Sequence, residues 1–131
     1  MRGERLAERG APQPEVAGRW LILWDGDCGL CRRWVEWTLR HDARGELRAA
    51  PYQHCTNWLP QLVLTLSPHQ AHLRSPDGLY WGGGDAVIRL MGALGHPRLE
   101  AILTHQPMRV LVVLAYRVFA RHRALFSRWS P

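Results

Sequence analysis

The chain has 131 residues, a length that suits one domain able to bury a sizeable core. Its 47% hydrophobic content and seven tryptophans exclude a disordered protein, which needs low hydrophobicity and high net charge. The formal net charge is +6, but the 17 basic residues are all arginines spread along the chain. This pattern predicts a solvated basic surface and gives no support for nucleic-acid binding.

Residues 1–18 are rich in Arg, Glu, Gly and Pro and lack the continuous apolar segment of a secretory signal. We therefore predict a flexible leader over residues 1–18 and a single domain over residues 19–131. Three cysteines are too few, and too odd in number, for a secreted disulfide scaffold. The expected location is the cytoplasm.

The first predicted elements form a parallel βαβ unit. Residues 19–24 are a continuous aliphatic and aromatic run, which is typical of a buried strand. The apolar positions that follow recur at helical spacing and predict a helix from Gly29 to His41. A second strand is predicted over residues 46–50, and the helix between the two strands makes them parallel.

The second half of the chain predicts a hairpin and more helices. The turn sequence of residues 75–78, Ser-Pro-Asp-Gly, joins two antiparallel strands. Helices are predicted over residues 56–66, 86–94 and 107–129, the second of them capped by Asp85. The apolar stretch of the last helix is seven residues long, too short to span a bilayer. The resulting β-α-β-(α)-β-β-α order predicts an α/β (α+β) fold, with a mixed four-stranded sheet flanked by helices and an extra C-terminal helical segment.

The segment Asp25-Gly26-Asp27-Cys28-Gly29-Leu30-Cys31 resembles the signature of the DCC family of thiol-disulfide oxidoreductase-like proteins, named for its Asp-x-x-Cys-x-x-Cys motif. Three later segments also resemble the family pattern, namely residues 50–53, 84–87 and 116–123. The resemblance implies a thioredoxin-like fold. It also implies a presumed disulfide oxidoreductase activity, whose substrates would be protein or low-molecular-weight disulfides and thiols.

The cysteine spacing suits disulfide exchange, in which one thiolate attacks a disulfide and a second thiol resolves the mixed disulfide. Cys28 lies at the predicted helix start, where free N–H groups and the helix dipole favour a thiolate. We predict Cys28 as the nucleophile and Cys31, one turn further and more buried, as the resolving thiol. The redox-active group would be the Cys28–Cys31 disulfide, with no other cofactor.

Asp25, at the end of the first predicted strand, has two possible roles. Its carboxylate either takes the proton from Cys31 as a general base or only caps the turn, since Asp is a common capping residue. The sequence leaves both roles open.

The alternative to an enzyme is a binding module that keeps the thioredoxin-like frame and uses its cysteines for zinc or regulation. Cys28, Cys31, His54 and Cys55 would supply a Cys3His set of zinc ligands. His54 and Cys55 are adjacent and lack the spacing of a zinc knuckle, which weakens this hypothesis. Without zinc, Cys55 is interpreted as a small buried hydrophobic residue.

Four further interpretations concern surfaces and prolines. Trp24 and Trp34 are expected to line a shallow docking surface beside the dithiol. On the last helix, three arginines share one face, which is interpreted as solvated, with weak contact to an anionic membrane surface as the alternative. These are Arg117, Arg121 and Arg128. Thioredoxins carry a cis-proline near the third strand, and the candidates here, Pro68 and Pro76, lack a convincing context.

Overall fold

The structure is a computed structural model that describes the backbone of residues 1–128 and the side chains of residues 1–122. The strands in this range are β1 (Arg2–Arg5), β2 (Trp20–Trp24), β3 (Leu47–Pro51), β4 (His72–Arg74) and β5 (Leu79–Gly82). The helices are α1 (Gly29–Arg40), α2 (Gln61–Leu66), α3 (Gly84–Ala93), α4 (Pro97–Thr104) and α5 (Met108–Arg128), and a short 3-10 turn covers Tyr52–His54.

The strands form one mixed sheet in the order β1-β5-β4-β2-β3. β2 and β3 are parallel, and the other neighbouring pairs are antiparallel. The predicted α+β class is confirmed, including the βαβ unit, the hairpin and the C-terminal helix. The predicted number of four strands was wrong, because β1 adds a fifth strand. The thioredoxin-like assignment stays a prediction.

The side chains of β2 alternate between two hydrophobic cores, one on each face of the sheet. Leu21 and Leu23 pack in a cluster that contains Trp58. Ile22 packs in the other cluster with Val35 of α1. Because successive side chains of a strand point to opposite faces, this one short strand connects both cores.

The first 18 residues, predicted to be a flexible leader, are built into the domain in this structure. β1 pairs with β5, and Val16 is buried in one of the cores. The Glu8 carboxylate accepts two hydrogen bonds from Arg74, each 3.0 Å long, and one of 2.8 Å from the Tyr80 hydroxyl. Burial raises the pKa of Tyr80, and the neighbouring Glu8 raises it further. The sequence carries no local signal for these contacts, because Glu8 is a charged residue whose partner, Arg74, is buried and far along the chain.

Three helix predictions needed correction. α2 begins at Gln61, five residues later than predicted, because residues 55–59 form turns that bury Trp58. α4 was not predicted, since Pro97 was taken to end a helix, whereas proline also fits the first helical position. Asp85 does not cap α3; it lies in the first turn and accepts two hydrogen bonds from Arg109, 2.9 and 3.0 Å long.

α5 packs closely against the start of α3. A Cβ atom on Gly84 would lie only 2.7 Å from Val113 Cα, so this approach requires glycine. On the outer side of α5, Arg117 and Arg121 are exposed and lie one turn apart. The side chain of Arg128 lies outside the described residues, as does the predicted end of this helix at residue 129.

Among the described helices, none is both long and apolar enough to cross a membrane. Within the described residues, the cis peptide bond joins Gln106 to Pro107, so neither Pro68 nor Pro76 is cis.

His72 opens β4 and is the most deeply buried histidine of the described side chains, with an exposed fraction of 1%. Its Nδ1 lies 3.4 Å from the Ser67 hydroxyl oxygen, and its Nε2 lies 3.2 Å from the Gln70 side-chain nitrogen. Burial lowers the pKa of His72 from 6.5 to about 4, and the positive charge of the N-terminal amino group lowers it further. The imidazole is therefore neutral in the folded protein at pH 7.

This neutral histidine predicts a loss of stability in mild acid. Between pH 6.5 and about 4 the unfolded chain takes up a proton at His72 that the folded protein does not. The contribution is complete at pH 7 and falls with pH, by roughly 2 kcal/mol between pH 7 and pH 5. The free energy of unfolding, measured with urea, should fall between pH 7 and pH 5 by roughly 2 kcal/mol less in His72→Gln than in the wild type. The exposed His96→Gln is the control, and an equal pH dependence in all three proteins would contradict the prediction.

Candidate active site

The dithiol lies where β2 gives way to α1. β2 ends at Trp24, three residues form a turn, and Cys28 is the N-cap residue of α1 with an extended backbone. The Cys31 backbone N–H donates a hydrogen bond to Cys28 Sγ over 3.2 Å. Both cysteines are in the reduced, thiol form. The Cys28 sulfur thus occupies the position at which a helix N-terminus stabilises negative charge.

The two thiols differ in burial, and in the order opposite to the prediction. Cys28 is buried, with an exposed fraction of 8%, whereas Cys31 is of intermediate exposure. Cys28 is the N-cap residue, and its side chain turns back towards the first helical turn to accept the Cys31 N–H. In this orientation the Cys28 sulfur is shielded from solvent. The expectation that Cys31 is the more buried thiol was wrong, because it considered only the distance of each residue from the helix start.

Asp25 organises the turn before the dithiol. Its Oδ1 accepts hydrogen bonds from the Asp27 backbone N–H at 3.0 Å and from the Gln53 side-chain amide at 2.9 Å. Its backbone carbonyl accepts a 3.1 Å hydrogen bond from the Cys28 N–H. The turn-capping contacts are therefore present, and the general-base role of Asp25 stays a prediction.

Gln53 is a site residue to which the sequence analysis assigned no role. Its Oε1 accepts a 3.1 Å hydrogen bond from the Gly26 N–H, while its Nε2 donates to Asp25. One carboxamide thus fastens the dithiol turn to the segment after β3. The only sequence signal was the position of Gln53 in a segment that resembles the family pattern.

Trp24 and Trp34 do not share one docking surface. Trp24 lines a shallow groove with Arg32 and Pro51, and its Nε1 is buried without a hydrogen-bond partner among the described residues. Trp34 lines a different, narrow cavity with Ala71 and other residues from β4 and α3. The two rings therefore line different cavities, although both pack against the core cluster that contains Val35.

The four residues considered as zinc ligands do not come together. Cys55 has an exposed fraction of 0% and packs with Trp58 and Leu59 in a core cluster. The neighbouring His54 is exposed, and its backbone carbonyl accepts a hydrogen bond from Gln13. Within the part of the chain that the structure describes, no three Cys, His, Asp or Glu side chains gather as metal ligands. The zinc set was wrong because the 3-10 turn directs Cys55 into the core, as expected for a small hydrophobic residue.

Cys55 is predicted to be chemically inert in the folded protein. Burial raises the pKa of its thiol, although contacts with Gln13 and Trp58 oppose that rise. Iodoacetamide at pH 8 should modify Cys55 at least about tenfold more slowly than Cys31, because alkylation requires an accessible thiolate. Peptide mass spectrometry measures both rates, with and without urea. Alkylation of Cys55 as fast as that of Cys31 without urea would contradict the burial seen here.

Residues 22–129 match the family described as DCC1-like thiol-disulfide oxidoreductase. The chain belongs to this family. The match extends from β2 into the C-terminal helix and includes Cys28 and Cys31, so a redox role follows for this DCC1-like protein in general terms. Searches of curated proteins and of solved structures gave no match.

Proposed function

We propose that this DCC1-like protein is a thiol-disulfide oxidoreductase in which Cys28 is the nucleophile, Cys31 resolves the mixed disulfide and Asp25 accepts a proton. The observation that carries the proposal is the 3.2 Å hydrogen bond from the Cys31 N–H to Cys28 Sγ at the start of α1. A helix N-terminus offers free backbone N–H groups to a sulfur in this position, and disulfide exchange proceeds through attack by a thiolate.

The surroundings of Cys28 support this assignment. The first turn of α1 contains no acidic residue, so no helix carboxylate opposes the charge on the sulfur. Arg32 and Arg33 follow Cys31 directly and are exposed, so they add positive charge to the first turns of α1.

The proposed reaction has two steps. The Cys28 thiolate attacks one sulfur of a substrate disulfide, which forms a mixed disulfide and releases the other half of the substrate as a thiolate. Cys31 then gives its proton to Asp25 and attacks Cys28 Sγ, which forms the Cys28–Cys31 disulfide and releases the second half as a thiolate. The substrate gains two electrons and the protein loses two. Asp25 passes the Cys31 proton to one of the released thiolates, and the other thiolate takes a proton from water.

A cytoplasmic location, as the sequence predicts, suits the reducing direction. Cytoplasmic thiols are kept reduced by glutathione and thioredoxin, which would return the Cys28–Cys31 disulfide to the dithiol. The reverse sequence of steps would oxidise a dithiol substrate.

The first experiment is a redox titration of the purified protein in glutathione buffers, followed by alkylation and mass spectrometry. We expect one reversible two-electron transition between about −270 and about −120 mV, the range of comparable dithiol pairs. Cys55→Ala is the matched control and should retain the transition, because Cys55 lies in the core. Absence of a reversible Cys28–Cys31 disulfide would overturn the proposed function.

The roles of the two cysteines can be separated in the same experiment. With a disulfide substrate, Cys31→Ser should accumulate a mixed disulfide on Cys28, since the resolving thiol is missing. Cys28→Ser should accumulate none. An adduct that forms on Cys31 in Cys28→Ser, and not on Cys28 in Cys31→Ser, would reverse the assignment and agree with the greater exposure of Cys31.

The base role of Asp25 predicts a selective defect in the second step. Asp25→Asn keeps an oxygen for the Asp27 and Gln53 hydrogen bonds but removes the base, so release of the second thiol should slow about 100-fold. Formation of the mixed disulfide should change far less. Rapid-quench alkylation measures both steps across pH, and Asp25→Ala reports the loss of the cap. A normal second step in Asp25→Asn, with a defect only in Asp25→Ala, would leave capping as the only role.

A further inference from the structure

We propose that the groove between residues 68–70 and α5 binds the substrate of the dithiol, and that Arg117 and Arg121 select low-molecular-weight disulfides carrying carboxylates. This inference rests on the proposed oxidoreductase function and adds a substrate class to it.

The groove lies at the same end of the sheet as the dithiol. β2 and β4 are antiparallel with Leu23 opposite His72. β2 ends one residue after this pair, and β4 begins at His72. The segment of residues 68–70 therefore precedes β4 at the end of the sheet where the dithiol turn follows β2.

Helix α5 is fastened to this loop. The Tyr116 hydroxyl accepts a 2.8 Å hydrogen bond from the Ala71 backbone N–H, at the start of β4. On its other side, Ala71 lines the narrow cavity with Trp34, which lies one turn after Cys31 on α1. Ala71 therefore shares a cavity with a residue of α1 and is hydrogen-bonded to α5.

The groove has the size and lining of a small-molecule site. Its volume is about 890 Å³, within the range of roughly 300–1,000 Å³ for ligand pockets. Apolar lining comes from Leu114 and Val118, both exposed on α5. The polar lining includes His69, Gln70, Arg117 and Arg121.

The charge of the groove favours an anion. Among the side chains that the structure describes, none of those lining the groove is acidic. Arg117 and Arg121 make no ion pair with any acidic side chain that the structure describes. Arg89 and Arg109 differ from these two arginines because they are ion-paired, Arg89 with Glu100 and Arg109 with Asp85.

A carboxylate is the complementary group for these two residues. Side chains four residues apart on a helix are neighbours, so the two guanidinium groups border the same region of the groove. Guanidinium binds a carboxylate through two parallel hydrogen bonds. A short disulfide with an aliphatic stem and a terminal carboxylate would thus place its stem on Leu114 and Val118, its charge on the arginines and its sulfurs towards Cys28.

The test compares three linear disulfides of similar length that differ in charge: anionic 3,3′-dithiodipropionate, neutral bis(2-hydroxyethyl) disulfide and cationic cystamine. The second-order rate constant for oxidation of the reduced protein is measured by rapid quench, alkylation and mass spectrometry. In Arg117→Gln/Arg121→Gln the rate constant for the anionic substrate should fall about 5- to 10-fold relative to that for the neutral one, since each exposed ion pair contributes up to about fivefold. The rate constant for the cationic substrate should rise relative to that for the neutral one.

The matched control is Arg44→Gln/Arg98→Gln, which changes the net charge equally at exposed positions. Arg44 follows the C-terminal end of α1, away from the dithiol, and this control should leave the substrate ratios unchanged. Equal ratios in the wild type and both variants would overturn the groove proposal while leaving the oxidoreductase function intact. Failure of all three disulfides to oxidise the dithiol would instead overturn the proposed function.

A further outcome would reassign the arginines. If substrate ratios stay constant but Arg117→Gln/Arg121→Gln loses salt-sensitive binding to vesicles of anionic phospholipid, the groove proposal fails and the outer face of α5 is a membrane-contact surface.

Discussion

The architecture depends on the position of β2 between β3 and β4. Its backbone pairs with a parallel strand on one side and an antiparallel strand on the other. At its C-terminal end, the last residues of β3 and the first residues of β4 therefore lie on either side of the turn that carries Cys28. Gln53 reaches this turn from the β3 side and is hydrogen-bonded to it. On the other side, β4 begins next to the end of β2, and Ala71, just before β4, is hydrogen-bonded to α5.

The elements that the sequence predicted well are those specified by local signals. β2 is a continuous apolar run, α1 has helical periodicity, and the β4–β5 hairpin has its own turn sequence. β1 has none of these signals, because its position depends on pairing with β5, over 70 residues away. The Glu8–Arg74 pair shows the same limit, since an exposed-looking acidic residue gives no indication of a buried partner 66 residues further on.

The candidate site divides in the same way. The spacing of Cys28, Cys31 and Asp25 predicted a dithiol at a helix start, because that arrangement is contained in seven consecutive residues. The relative burial of the two thiols and the contacts of Gln53 required the packing of separate segments. Adjacency in sequence also misled the zinc hypothesis: His54 and Cys55 are neighbours in the chain, yet one is exposed and the other lies in the core.

The two edge strands of the sheet affect whether the protein can self-associate through its backbone. An uncovered strand edge offers unpaired backbone groups to any other chain, and natural sheets discourage such pairing with short, charged or proline-containing edges. β1 forms one edge with the four residues Arg2 to Arg5, three of which are charged. β3 forms the other edge, carries Arg48 and ends at Pro51, which has no N–H to donate. Both edges thus oppose strand addition, so self-association by extension of the sheet is disfavoured.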